Sequence, residues 1–155
     1  NIIKGYFSAS ILYRAIESEL IYVDYVNPRD YTIDKHNRVD KPMVAGGAGM
    51  LMTPQPLFDT IDAIKDSSID AYVIVATPVG KPFTQNDAKR LSAKEHIVFV
   101  SGRYEGIDER FIEQRGDELF SIGDFVLTGG ELPSMVMCDA IARNIDGVLG
   151  NSNSL

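Results

Sequence analysis

Cysteine is almost missing from this chain. Cys138 stands alone, so no internal disulfide can form, and a reducing, cytoplasmic setting is expected. Histidine is almost missing too. His36 and His96 lie far apart with no Cys or His at ligand spacing, which argues against a zinc site. His36 falls in a polar loop, where solvent satisfies it; His96 opens an apolar run, where it is expected to pack. No apolar run approaches the roughly 18 residues of a membrane span. Positive charge is short: 15 Lys and Arg against 22 Asp and Glu leave a formal net charge of −7. Phosphate contacts supply most non-specific affinity for nucleic acid, so a nucleic-acid partner would need local positive charge or a grip from elsewhere. Gly46-Gly47-Ala48-Gly49 is not followed by Gly-Lys-Ser/Thr and does not follow a strand-like run. It is therefore neither a P-loop nor a dinucleotide fingerprint. Gly80-Lys81-Pro82 is no P-loop end either, and no Gly-x-Ser-x-Gly elbow occurs. Kinase, dehydrogenase and serine-nucleophile chemistries lose their usual signatures.

What remains is an ordinary globular composition. The 155 residues, 45% of them hydrophobic and 24% charged, fit one domain with a sizeable core. Residues 2–18 carry apolar residues at helical spacing, interrupted by Gly5. Leu20 to Val26 alternates and reads as a strand. Residues 27–49 have no period, and so long a loop is usually functional. Thr53-Pro54 opens a helix. Ala71 to Ala76 reads as a buried strand, Thr84 caps a helix to about Lys94, and His96 to Val100 is a second buried strand. Ile107 to Arg115 is a short helix stopped by Gly116. Leu119 to Ile122 and Phe125 to Leu127 read as short strands. Glu131 to Ile145 is a helix burying Cys138, Ile141 and Ile145, with Gly147 just past its end. This alternation predicts an α/β fold with a mainly parallel sheet and flanking helices.

Chemistry concentrates in two glycine-bearing loops at strand ends, Ser101 to Gly106 and Ile122 to Gly130. They make either two structural turns or a ligand pocket built of backbone. Glu105, Asp108, Glu109, Asp124 and Glu131 are candidates for a hard cation, although Asp108 and Glu109 equally suit a helix N-terminus. Cys138 falls on the apolar face of its helix and reads as core. Arg14, Arg29, Lys35, Arg38 and Lys41 gather in and near the long loop, either to touch phosphates or as solvated charge.

Several segments carry a more specific signal in their order. Asn27-Pro28-Arg29-Asp30-Tyr31, Gly46 to Met50, Gly102-Arg103-Tyr104-Glu105-Gly106-Ile107-Asp108-Glu109-Arg110, Ser121 to Leu127, Gly129 to Pro133 and Gly147 to Gly150 run along nearly the whole chain. In that order they resemble the bacterial tRNA (guanine-N1)-methyltransferase family, TrmD, of the SPOUT class. The resemblance implies a deep trefoil knot in the C-terminal half, S-adenosylmethionine as cofactor, and a homodimer whose sites straddle the interface. It implies cofactor contacts from Thr77, Pro78, Gly102, Tyr104, Glu105, Gly106, Ile122, Gly123, Phe125, Leu127, Gly129, Gly130 and Pro133. It further implies a tRNA substrate, methylated at N1 of the guanosine 3′ to the anticodon. Arg143 takes the place of the family's catalytic arginine, and magnesium dependence points to Glu105 as metal ligand.

The same resemblance carries departures. The family's first strand, ahead of the opening helix, is expected to be missing. Residues 1–149 would form the cofactor-binding domain and 150–155 the start of a linker to a tRNA-binding domain. The family's general base, an Asp beyond the position of Leu155, would then be absent. Val44-Ala45 replaces a common Tyr-Gly, and Ser101 stands where Cys is frequent. The alternative that stays open is a knotted cofactor- or RNA-binding module without catalysis.

Overall fold

The computed structural model describes residues 2–31, 40–42, 50–52, 54–102 and 106–154. Helices α1 (Ile2–Phe7) and α2 (Ser10–Glu17) come first, then a 3-10 turn at Pro28–Tyr31 and a small antiparallel pair, β1 (Asp40–Pro42) with β2 (Met50–Met52). The chain continues as α3 (Pro54–Ser67), β3 (Tyr72–Pro82), α4 (Gln85–Leu91), β4 (Ile97–Val100), α5 (Glu109–Arg115), β5 (Glu118–Ser121) and α6 (Glu131–Ala142). Strands β4, β3 and β5 lie side by side in that order, all parallel. The expected α/β architecture with a parallel sheet and flanking helices is present.

The local chemistry explains the element ends. Thr84 and Asp87 form a reciprocal capping box at the start of α4, each satisfying a backbone donor of the first turn. The Asp108 carboxylate accepts from the Arg110 backbone at 2.9 Å, and Gly116 closes α5 at its other end. Pro54 takes the first position of α3, where its missing N–H is no loss.

Alternation along β3 builds a three-layer core. Val73 and Val75 face α3 and α5, packing with Leu57, Ile61, Val100 and Phe111. Ile74 faces the opposite way, toward Ala88 and Leu91 of α4 and Met137 and Ile141 of α6, with Phe120 between. Both faces of the sheet are covered, as parallel sheets require. Helices α1 and α2 form a smaller cluster through Phe7, Leu12 and Ala15 against Ala142 and Val148.

Three expectations from periodicity are corrected. The first helical run breaks at Ser8 to Ser10, not at Gly5; Ser10 adopts φ 62. Leu20 to Val26 is not a strand: its alternation is real, with Ile21, Val23 and Tyr25 turned toward the α1/α2 cluster, but among the described residues no strand pairs with it. Phe125 to Leu127 is likewise irregular, and Val126 is 90% exposed. Strand β3 instead outruns expectation. It pairs with β5 through Ala76↔Phe120, lets Thr77–Gly80 loop out, and rejoins at Lys81↔Phe120.

Candidate functional site

The three parallel strands end on one edge of the sheet. Past β4 come Ser101 and Gly102, past β5 come Ile122 and Gly123, and from β3 the Thr77–Gly80 excursion rises between them. That edge is where open α/β sheets collect ligands. Gly80 makes the excursion's return possible. A Cβ there would lie 2.6 Å from the Phe120 backbone nitrogen, so only glycine lets β3 close back onto β5.

The two glycine loops meet. The Gly130 N–H donates to the Gly102 carbonyl at 2.6 Å. A Cβ on Gly130 would stand 2.7 Å from Gly102 N and 2.9 Å from Ser101 Cα. Glycine is thus demanded at Gly130 by close approach of backbone to backbone. One helical turn on, the buried Ser134 hydroxyl pairs with Ser101 at 2.8 Å. Pro133 occupies the first turn of α6, where no intrahelical donor is lost. Beside these loops opens a cleft of about 370 Å³ lined by Ile2, Thr128, Gly129, Glu131 and Leu132.

The structure brings together Thr77, Pro78, Gly102, Ile122, Gly123, Gly129, Gly130 and Pro133 around this sheet edge. Phe125 and Leu127 stand on its exposed rim, the Phe125 ring lying against Gly123. Gly106 follows with φ +138, a conformation that suits glycine. Tyr104 and Glu105 lie outside the described residues, as do His36, Lys35, Arg38, Thr53 and the Gly46–Gly49 run. Arg143 is not gathered with the others. It caps the far end of α6, roughly 20 Å from Gly130 at the rise of an α-helix, and its guanidinium donates to the Ser154 carbonyl at 2.7 Å.

Other candidates are structural. Asp108 accepts two bonds from the Arg110 guanidinium besides capping its helix, and these hydrogen bonds hold its carboxyl below the usual range. Burial and the Asp139 charge push the Cys138 thiol up to about 12, which removes it as a nucleophile. His96 is tied to the Ser68 hydroxyl at 2.7 Å, the packing role expected of it. Among the described residues no three carboxylate, imidazole or thiol groups converge on a point. Asp124 and Glu131 are in no such cluster, and Glu105, the residue expected to bind magnesium, lies outside the described residues. Sequence reasoning missed two features, the Thr77–Gly80 excursion and the Ser101–Ser134 pair. Pro78 and Gly80 inside a strand pattern were a signal for the first; the second had none.

A parallel α/β sheet with a backbone-built crevice outside its strand ends defines a ligand-binding domain of the kind enzymes use for small cofactors. The family model of tRNA (Guanine-1)-methyltransferase TrmD matches residues 1–155, and the chain belongs to that family of tRNA methyltransferases. It is 71% identical over its full length to the tRNA (guanine-N(1)-)-methyltransferase of Sulfurovum sp. (strain NBC37-1), covering 68% of that protein. With the same-named protein of Sulfurimonas denitrificans the identity is 63%, covering all of this chain and 67% of the relative. With that of Campylobacter curvus it is 57%, covering all of this chain and 66% of the relative. The chain thus spans about two thirds of the length of these curated relatives.

Proposed function

We propose that residues 1–149 form the cofactor-binding domain of a tRNA guanine-N1 methyltransferase, with S-adenosylmethionine held at the sheet edge described above. The observation that carries this is the contact of Gly130 with Gly102. Two loops whose backbones touch present amide and carbonyl groups without side chains, which suits the edges of an adenine. The trefoil knot that the family resemblance implies is part of this proposal; the close contact of Ser101–Gly102 with Gly129–Gly130 is the observation that accords with it.

When bound, the cofactor supplies an electrophilic methyl group on sulfur. In the proposed transfer guanine N1 would receive that methyl group as the carbon–sulfur bond breaks. The N1 proton leaves to a carboxylate base. The chain's own part is orientation. Gly102, Gly123 and Gly129 offer backbone groups, Gly130 holds the loops together, Thr77 and Pro78 close one wall, and Phe125 and Leu127 flank the mouth. Arg143 would steady negative charge developing on the guanine. Its distance along α6 means that it reaches a pocket only from a second subunit. Magnesium dependence, implied by the family resemblance through Glu105, belongs to the same proposal.

That second subunit is proposed to dock on the strip shared by α1 and α6. Ile2, Tyr6, Leu132 and Val136 are exposed there, with the Tyr6 hydroxyl donating to the Asp139 carboxylate. Light scattering on the eluted chain should give twice the 17.1 kDa protomer mass; a stable protomer at micromolar concentration would overturn the dimer. The tRNA partner follows the relatives' printed activity, and a cytoplasmic site of action follows from the substrate. Among the described residues no helix is long and apolar enough to cross a membrane.

The test is calorimetric titration of S-adenosylhomocysteine into this chain, with ATP as control. One saturable site per subunit and no ATP binding is the expected result. ATP binding, or no binding of either, would overturn the reading of the glycine loops.

A further inference from the structure

We propose that the Ser101 and Ser134 hydroxyls form a clasp that sets the mutual orientation of the two cofactor loops, making Ser134 a positioning residue for methyl transfer. The clasp rests on the glycine loops being the cofactor site.

Ser134 is 5% exposed, one of the two buried polar residues among those described. Its backbone N–H donates to the Gly130 carbonyl at 3.1 Å, which places it one helical turn below the loop contact. Its hydroxyl meets that of Ser101, 33 residues away in sequence, at 2.8 Å. Ser101 in turn is the residue just before Gly102. The two segments therefore touch at two points. Gly130 N–H to Gly102 carbonyl is one, and the hydroxyl pair is the other, lying about 5 Å along the helix axis.

A single hydrogen bond acts as a pivot. With the Gly130 contact alone, the segment just past β4 keeps a small freedom to turn about the start of α6. A second bond, offset along the helix and directional in its own right, removes that rotation. What it fixes is the direction in which Gly102 and Gly129 present their amides and carbonyls. Among the described residues no buried side-chain polar atom lacks a partner, so removing either hydroxyl leaves the other uncompensated at a site with little water.

The experiment is titration of S-adenosylhomocysteine into the chain and its serine variants at 25 °C, with melting temperatures recorded alongside. Ser134→Ala should raise the dissociation constant by about three- to tenfold, the worth of one hydrogen bond. Ser101→Ala should raise it by a similar factor, and it carries the test should Ser134→Ala fold poorly. The double variant should be no weaker than the weaker single one, because both remove the same interaction. Ser101→Thr keeps the hydroxyl and should bind within about twofold of the parent. A role in packing alone would lower the melting temperature and leave the dissociation constant at 25 °C unmoved. An unchanged constant in Ser134→Ala and Ser101→Ala, or losses that add in the double variant, would overturn the clasp while the cofactor site stands. A parent chain that binds no S-adenosylhomocysteine would overturn both.

Discussion

Gly130→Ala should cost this chain about ten- to a hundredfold in affinity for S-adenosylhomocysteine while leaving the sheet folded. The reason is steric and local. Gly130 has φ −85, so alanine meets no backbone strain. Its methyl group, however, would stand 2.7 Å from Gly102 N, 2.9 Å from Ser101 Cα and 3.1 Å from the Gly102 carbonyl oxygen. All three are main-chain atoms just past β4, which ends at Val100. They cannot swing aside as a side chain does. The loops must part, which breaks the 2.6 Å bond between Gly130 and Gly102 and spreads the surface proposed to grip the cofactor. Gly129→Ala is the natural comparison. There the new methyl would meet the far end of the Glu131 side chain rather than backbone, so a smaller loss than at Gly130 is expected. Far-UV circular dichroism of each variant checks the fold, and calorimetry reads the affinity. Parent-like binding by Gly130→Ala would mean that the loop contact is not part of the site.

The contrast between these two neighbouring glycines shows what could and could not be read in the chain. The core strands were legible because Val73 to Val75 and Ile97 to Val100 are short β-branched and aromatic runs, the first buried and the second half-buried up to Val100. The helix ends were legible where the signal is local chemistry, as with Thr84 opening α4 and Gly116 closing α5. Leu20 to Val26 misled because alternation states which face is apolar, not whether a partner strand lies alongside. Phe125 to Leu127 misled for a related reason, being apolar where the protein presents a rim rather than a core. At the site, the glycines could be picked out, but not which of them touch. The Gly102–Gly130 contact joins segments far apart in sequence, and no period or propensity encodes it. The Thr77–Gly80 excursion reads as the end of a strand until Lys81 is seen to rejoin β5. Arg143 was legible only through family resemblance, and the geometry adds what the resemblance did not: within one subunit it lies at the wrong end of its helix.

Glu118→Gln should lower stability at pH 7 by about 2 kcal/mol, the second large effect. Glu118 opens β5 with its side chain 12% exposed. It accepts two bonds from the Arg90 guanidinium, at 2.8 and 2.9 Å, one from the Tyr72 hydroxyl at 2.8 Å, and pairs with Lys81 at 2.8 Å. Burial by itself would raise its carboxyl, but the bonds from Arg90, Lys81 and Tyr72 together outweigh it and hold the group down to about 2. The drop from an ordinary 4.5 corresponds to about 3 kcal/mol. Because the Lys81 and Arg90 side chains are 56% and 46% exposed, solvent screening reduces it to the smaller figure. The sign follows from the direction. A carboxylate whose folded value is depressed stabilises the fold in full above its unfolded value, and that contribution drains away as pH falls from about 4.5 toward 2. Parent and variant should therefore differ most at neutral pH in urea denaturation and converge as pH drops through that window. Curves that stay parallel down to the acid limit would show that the charge is not what holds the network. The network's place gives it a consequence beyond stability. Lys81 is the residue at which β3 returns to β5 after the Thr77–Gly80 excursion, so the ion cluster anchors one wall of the proposed cofactor site. A Glu118→Gln chain that has lost stability should also bind S-adenosylhomocysteine more weakly at pH 7, at temperatures where it remains fully folded.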